Sequence, residues 1–262
     1  MRENFDLSPT GYAAFEERFG LFARLARALA CLAGVGPGSR VLDMGCGTGD
    51  STRVLAQLAG PDGLVVGLDI SAAMLRAAVA RPLPAGSAPV CWVLGDAEAP
   101  PCLAGGRFDL VLYNASAFLL PDAAASLAHA RDLLAPGGRL GATVLCGLVD
   151  AATGEDVLER LKRDDRFGVR SGAITDPDAL RRAFASPAGP AESTREVVVA
   201  APGQARSFYG IPAQSSSLFP GLPLHERLAL AHALFDHLDA SEASLGFEWE
   251  FLVSAPRDGE RA

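Results

Sequence analysis

The chain of 262 residues carries a formal net charge of −8 and 49% hydrophobic residues, so it can bury a full core and lacks the basic excess that a nucleic-acid partner demands. Its five cysteines, Cys31, Cys46, Cys91, Cys102 and Cys146, form no C-x-x-C pair, which argues against a zinc site or a disulfide framework and for reduced, space-filling thiols. Met1 to Thr10 is polar and no apolar run reaches the ~18 residues of a membrane span, so neither a leader nor a membrane anchor is expected and the expected setting is the cytoplasm. Lysine occurs only at Lys162 while arginine, alanine, glycine and proline abound, a bias that points to a GC-rich bacterial genome.

In chain order, Phe15, Phe19, Phe22, Leu25, Leu29 and Leu32 form a helical stripe over Tyr12 to Ala33. Two uses of its aromatics stay open: packing on a sheet, or covering a ligand through Tyr12 and Phe15. Arg40 to Asp43 is the first expected strand. Gly45, Gly47 and Gly49 make a tight turn, and Ser51 to Leu58 a helix. Further strands are expected at Leu64 to Ile70, Val90 to Leu94, Phe108 to Tyr113 and Arg139 to Cys146. Between them lie a helix over Ala72 to Ala80, capped by Ser71, and one opened by Pro121 and Asp122 and stopped by Pro136-Gly137-Gly138. The strands are apolar nearly throughout, as in a parallel sheet covered on both faces, so residues 40–147 are expected to form a doubly wound α/β fold.

Beyond 147 the rhythm loosens. Helices are expected over Gly154 to Arg163, over Asp178 to Ala185 after the start signal Thr175-Asp176-Pro177, and over Leu224 to Leu238. Strands are expected at Glu196 to Ala200 and Phe247 to Ser254. Pro202 to Pro223 is expected to be a loop bearing Phe208, Tyr209 and Phe219, and the charged tail from Pro256 to fray.

Asp43, Asp69, Asp96 and Asn114 each fall at or just past the carboxyl end of an expected strand, where open α/β sheets bind ligands. A dinucleotide turn starting at Gly45 would need a small residue at position 50, and Asp50 stands there. The acidic Asp43 just before the glycines also suits a cation better than a diphosphate. This disfavours a nicotinamide oxidoreductase and favours an adenosine ligand with a positively charged amino-acid portion.

Val41 to Gly49, Gly67-Leu68-Asp69-Ile70-Ser71, Gly95-Asp96-Ala97, Phe108-Asp109-Leu110-Val111 and Leu133-Leu134-Ala135-Pro136-Gly137-Gly138 resemble, in order and at similar distances, five motifs of the class I S-adenosylmethionine-dependent methyltransferases, in their small-molecule branch. Phe247 to Arg257 resembles the family's closing strand. The resemblance implies a Rossmann-like, mostly parallel seven-stranded sheet with an inserted cap: an N-terminal helical cover over 1–38, a cofactor core over 39–147, cap insertions with a sixth strand over 148–246, and the closing strand and tail over 247–262. It implies S-adenosylmethionine as cofactor. Asp43, with Gly45, Cys46, Gly47 and Gly49, holds the methionine end. Asp69 takes the ribose hydroxyls, Ile70 and Met74 flank the adenine, Asp96 and the Ala97 N–H take its edge, and Tyr113 or Asn114 lies near the sulfonium.

It further implies methyl transfer to a small-molecule acceptor by in-line displacement, in a monomer or homodimer with no nucleic-acid partner, no membrane span and no metal. The alternatives are a module that binds the cofactor without catalysis, and a protein methyltransferase. No strong base follows the fourth strand, so the catalytic candidates are Asn114, Tyr12 and His225. His129, His232 and His237 are expected to be helix-surface residues. For the acceptor, Tyr12, Phe15, Phe208, Tyr209 and Phe219 offer an apolar wall, or else a satellite core under the loop.

Overall fold

The computed structural model describes residues 2–101, 107–164, 167–170, 177–185, 189–240 and 244–257. Cys102, the Thr175-Asp176 part of the helix-start signal and the tail past Arg257 lie outside them. The chain forms two compact units. The first comprises Met1–Gly20, Leu145–Ala173 and Arg195–Trp249, and the second Leu21–Val144, Ile174–Thr194 and Glu250–Ala262.

Three helices open the chain: α1 (Arg2–Asp6), α2 (Pro9–Phe19) and α3 (Leu21–Ala33). The single helix expected over Tyr12 to Ala33 is thus two, because Gly20 takes the left-handed conformation (φ 60°) and its N–H caps the Glu16 carbonyl. Strand and helix then alternate through β1 (Arg40–Met44), α4 (Asp50–Ala59), β2 (Leu64–Asp69), α5 (Ala72–Ala80), β3 (Val90–Leu94), β4 (Phe108–Asn114), α6 (Ala123–Asp132) and β5 (Leu134–Asp150). The remainder is α7 (Val157–Lys162), α8 (Pro177–Phe184), β6 (Glu192–Val199), α9 (Gln204–Tyr209), α10 (Pro212–Leu218), α11 (Leu224–Ala240) and β7 (Leu245–Val253). The strands form one seven-stranded sheet in the order β3-β2-β1-β4-β5-β7-β6. β1 pairs in parallel with β2 and β4, β2 with β3, and β4 with β5. The strand order therefore reverses direction between β1 and β4, the switch point where such sheets take ligands.

Three further elements differ from the expectation. Pro136-Gly137-Gly138 is no gap before the fifth strand but a bulge inside it. Leu134 already faces Phe108, the register then shifts, and Gly137 has φ 80°. Gly138 has no room for a Cβ, which would lie 2.6 Å from the Phe108 carbonyl oxygen. The loop expected over Pro202 to Pro223 contains α9 and α10. Gly203 (φ 71°) is the N-cap of one and Pro212 opens the other, so these residues punctuate helices. β6 begins four residues before the expected Glu196, in the polar stretch Glu192 to Arg195 that carries no apolar alternation.

The second unit is built on the parallel strands. α3 buries Leu21, Leu25, Ala26, Leu29 and Ala30 along one face. Deep in this unit Glu250 is buried and accepts hydrogen bonds from the Arg181 guanidinium (2.6–3.0 Å) and the Ser193 hydroxyl (2.5 Å). The first unit has an aromatic core. Phe208 meets Phe15, Tyr209 and Phe247 at ring-centroid distances of 5.5, 5.0 and 5.2 Å, and Tyr209 stacks on Phe235 at 5.2 Å.

Candidate functional site

The site grows from the carboxyl ends of β1 to β4, all in the second unit. Asp43 ends the apolar run of β1 and is fully buried. Its Oδ2 accepts a hydrogen bond from the Thr52 hydroxyl at 2.6 Å. Its Oδ1 has no partner. Burial pushes the Asp43 carboxyl up to about 7, the Thr52 bond opposes the rise, and the nearby Asp69 charge adds to it.

The turn after Asp43 is held from several sides. The Gly45 and Cys46 N–H groups both donate to the Leu68 carbonyl, at 2.8 and 3.0 Å, and the Gly47 N–H donates to Asp69 Oδ2 at 2.8 Å. Gly45 has φ 76°, and a Cβ there would lie 2.7 Å from the Ser116 Cβ, so only glycine fits. Cys46 is buried and its thiol is pushed up by burial, which rules it out as a ready nucleophile. Asp50 faces Thr48, whose hydroxyl donates to it at 2.7 Å, and pairs with Arg81. Its charge is therefore compensated, and the case against a diphosphate rests on Asp43 rather than on Asp50.

Asp69 ends β2. Its second oxygen accepts the Ser71 N–H at 2.8 Å, so two backbone donors aim the carboxylate. Ser71 caps α5 by accepting the Met74 N–H, which fixes Met74 in a buried position beside the half-exposed Ile70. At the end of β3 the Gly95 N–H donates to the Asp69 carbonyl (3.0 Å), and Asp96 accepts the Glu98 N–H (2.9 Å). Ala97 is buried, and its carbonyl accepts the Ser126 hydroxyl.

At the end of β4 the two sulfonium candidates part. Tyr113 turns to α6, where its hydroxyl lies 2.8 Å from Ser126 Oγ, and burial raises its pKa to about 12. Asn114 turns to the first turn of α4: its Nδ2 donates to Ser51 Oγ (2.6 Å) and the Phe22 carbonyl (2.9 Å), and its Oδ1 accepts from Thr143 (2.8 Å). Ala115 follows with φ 55°, a costly conformation for a residue with a Cβ. It is pinned by its N–H to Thr143 Oγ1 and by Ser116 Oγ to the Met44 carbonyl. Asp43, the glycine turn, Asp69, the β3 end and Asn114 thus form one connected network.

The remaining predicted residues stand elsewhere. Tyr12 accepts a hydrogen bond from Gln214 (2.9 Å) in the first unit. Phe15, Phe208, Tyr209 and Phe219 are 1–3% exposed in that unit's core. His225 is 83% exposed beside Glu226, His129 lies 2.9 Å from the Glu98 carbonyl, and His237 stacks on Phe167. Among the described residues no cluster of metal ligands occurs, and no helix is long and apolar enough to cross a membrane.

Several supporting residues escaped the sequence reading. Thr52 orients Asp43, and Ser116 and Thr143 fix the β4 end. Arg53 is buried under the turn and donates to the carbonyls of Thr48, Gly49, Ala78 and Arg81. Each is a polar residue that helix and strand periodicity, which counts apolar positions, does not register.

An adenosyl cofactor with a cationic amino-acid end fits this donor set. The orphan Oδ1 of Asp43 is a buried acceptor that requires a cation or donor.

The family described as "Methyltransferase domain" matches residues 41–138. The chain is 42% identical over 122 residues to the nocamycin O-methyltransferase of Saccharothrix syringae, covering 47% of this chain and 43% of that protein. It is 35% identical over 139 residues to the aklanonic acid methyltransferase DauC of Streptomyces sp. strain C5, covering 53% and 62% respectively. The chain thus spans about half the length of the curated relatives it matches. In fold it is similar to phosphoethanolamine N-methyltransferase 2 of Haemonchus contortus, solved with S-adenosyl-L-methionine (TM-score 0.53, 17% identity, covering 92% of this chain and 53% of that one). With the sheet order, the glycine turn and the paired strand-end carboxylates all in place, residues 41–138 of this chain match a methyltransferase domain, and over that stretch the chain is similar to known methyltransferases.

Proposed function

We propose that the protein transfers the methyl group of S-adenosylmethionine to a small-molecule acceptor. The observation that carries this is the buried, unpartnered Oδ1 of Asp43 beside a glycine turn within the matched domain. When bound, the cofactor would supply a methyl group on a sulfonium for in-line displacement by the acceptor, with the C–S electron pair left on sulfur, and the residues named here would hold its two ends. Asp43 takes the ammonium of the methionine end. Asp69, aimed by the Gly47 and Ser71 N–H groups, accepts from the ribose hydroxyls. Ile70 and Met74 flank the adenine, and Asp96 with the Ala97 N–H takes its edge. Asn114 serves as a rigid strut, since both ends of its amide are bonded. Gly45, Cys46, Gly47 and Gly49 supply the backbone of the cradle. The protein's main tasks are to orient the reactants and exclude water.

The nocamycin and aklanonic acid methyltransferases are named for small-molecule acceptors, which supports the same class of acceptor for this chain. Acceptor choice is assigned to aromatic residues that lie outside the matched stretch. Tyr12 is the accessible member of its aromatic group, and Phe15, Phe208, Tyr209 and Phe219 back it. The charge of −8 supports an enzyme without a nucleic-acid partner, and a cytoplasmic monomer or homodimer completes the proposal.

Calorimetric titration with S-adenosylmethionine, S-adenosylhomocysteine and NADH tests the cofactor. Binding of the first two and not the third is expected; NADH binding alone refutes the reading. A screen of small molecules with methyl-labelled cofactor tests the reaction, and tight cofactor binding with no labelled product from any acceptor class favours a binding module.

A further inference from the structure

A second uncompensated charge lies in the first unit, far in sequence from the matched domain. Arg227, on α11, is only 8% exposed. Its Nη2 donates to Asn4 Oδ1 on α1, its Nε is buried with no hydrogen-bond partner, and no carboxylate pairs with it among the described residues. Burial lowers its pKa and no neighbouring charge acts on it.

The acids nearest in sequence are placed elsewhere. Asp6 on α1 lies 3.8 Å from Arg2, and Glu226 lies 3.8 Å from the exposed His225. The groups that order this region are neutral. Ser8 donates to the Asn4 carbonyl (2.6 Å) and accepts the Ala213 N–H (3.0 Å), and Gln214 donates to Tyr12. Asn4 is therefore tied in place, and it presents the guanidinium with a dipole but no charge.

A guanidinium N–H buried without an acceptor is unfavourable in the free state. An arginine offers five N–H donors in a planar fork matched to a carboxylate. One charge and one fork suit a carboxylate; a phosphate dianion wants further cations or donors around it.

We propose that Arg227 with Asn4 is a binding site for a carboxylate group. The ligand's carboxylate takes the Nε side of the guanidinium, while Asn4 keeps its bond to Nη2.

The test compares thermal melting and calorimetric titration of the full chain with formate, acetate and benzoate, against benzamide, inorganic phosphate and equal ionic strength of chloride. Wild type is expected to melt higher with the carboxylates than with chloride or benzamide. Arg227→Met is expected to melt no lower than wild type without ligand and to lose that response, with benzoate affinity down at least tenfold. Asn4→Asp, which places a carboxylate on the guanidinium from within, is expected to raise the ligand-free melting temperature and to abolish the response as well. Equal responses in wild type and Arg227→Met, no carboxylate response in wild type, or tighter binding of phosphate than of every carboxylate each overturns the site.

Discussion

Asp43 ties the protonation state of the free protein to the binding of its cofactor. Its carboxyl titrates near 7 in the folded chain, against 3.8 when freely solvated, chiefly because it is buried. An acid whose folded pKa is the higher one holds its proton more tightly in the folded state. With respect to this group, stability is greatest below about pH 4, falls as pH rises, and levels off above about pH 7. The interval between 3.8 and about 7 corresponds to about 4 kcal/mol of instability in the ionised free protein. A cationic ammonium seated on Oδ1 requires the ionised form, so binding below pH 7 expels a proton. Affinity for S-adenosylmethionine should then approach a tenfold fall per pH unit well below 7, and drop roughly 16-fold between pH 7 and pH 5.5. Calorimetry in buffers of different ionisation enthalpy should record release of close to one proton at pH 5.5 and almost none at pH 8. Asp43→Asn keeps the Thr52 bond, binds weakly at all pH values, loses the slope, and gains stability over wild type at pH 8 in urea titrations. A flat wild-type affinity from pH 5.5 to 7.5, or the same slope in Asp43→Asn, would refute the placement of the ammonium.

Three further outcomes are expected. Asp69→Ala should weaken S-adenosylmethionine by at least about 1.5–3 kcal/mol, the scale for hydrogen bonds to a charged group, read by calorimetry. It also frees the Gly47 and Ser71 N–H groups, so amide exchange in the turn should quicken. Gly45→Ala should cost about 1–3 kcal/mol of stability in urea titrations, from its positive φ and the clash with Ser116, and Ser116→Gly added to it should recover only part, because the φ strain stays. Arg181→Met removes the guanidinium from the buried Glu250 and should cost about 3–5 kcal/mol at pH 8, read by urea titration.

The cofactor half of the protein was legible because its signals are local. The Asp43 turn, the Asp69 strand end and the Ser71 cap each lie within a few residues, and the strand-to-helix rhythm orders them along one sheet. α5 and β3 match their expected bounds, since a cap and an apolar run delimit each. Where the local signal had two meanings, the expectation missed. Glycine and proline between 202 and 223 punctuate helices as readily as they make loops, and Gly20 divides one periodic stripe into two helices.

What the amino-acid sequence determined alone is the donor: residue type and spacing place three carboxylates and three glycines at consecutive strand ends, and backbone geometry does the rest. Only the tertiary structure decided which partners those groups have. Thr52 leaves one oxygen of Asp43 without a donor, Arg81 neutralises Asp50, and Tyr113 turns away to Ser126 while Asn114 turns toward α4. Likewise Arg227 reads in the sequence as one more charge on a helix, and only burial beside Asn4 shows that it lacks an anion. Charge and hydrogen-bonding satisfaction are properties of contacts between residues remote along the chain, so they appear only once the chain has folded.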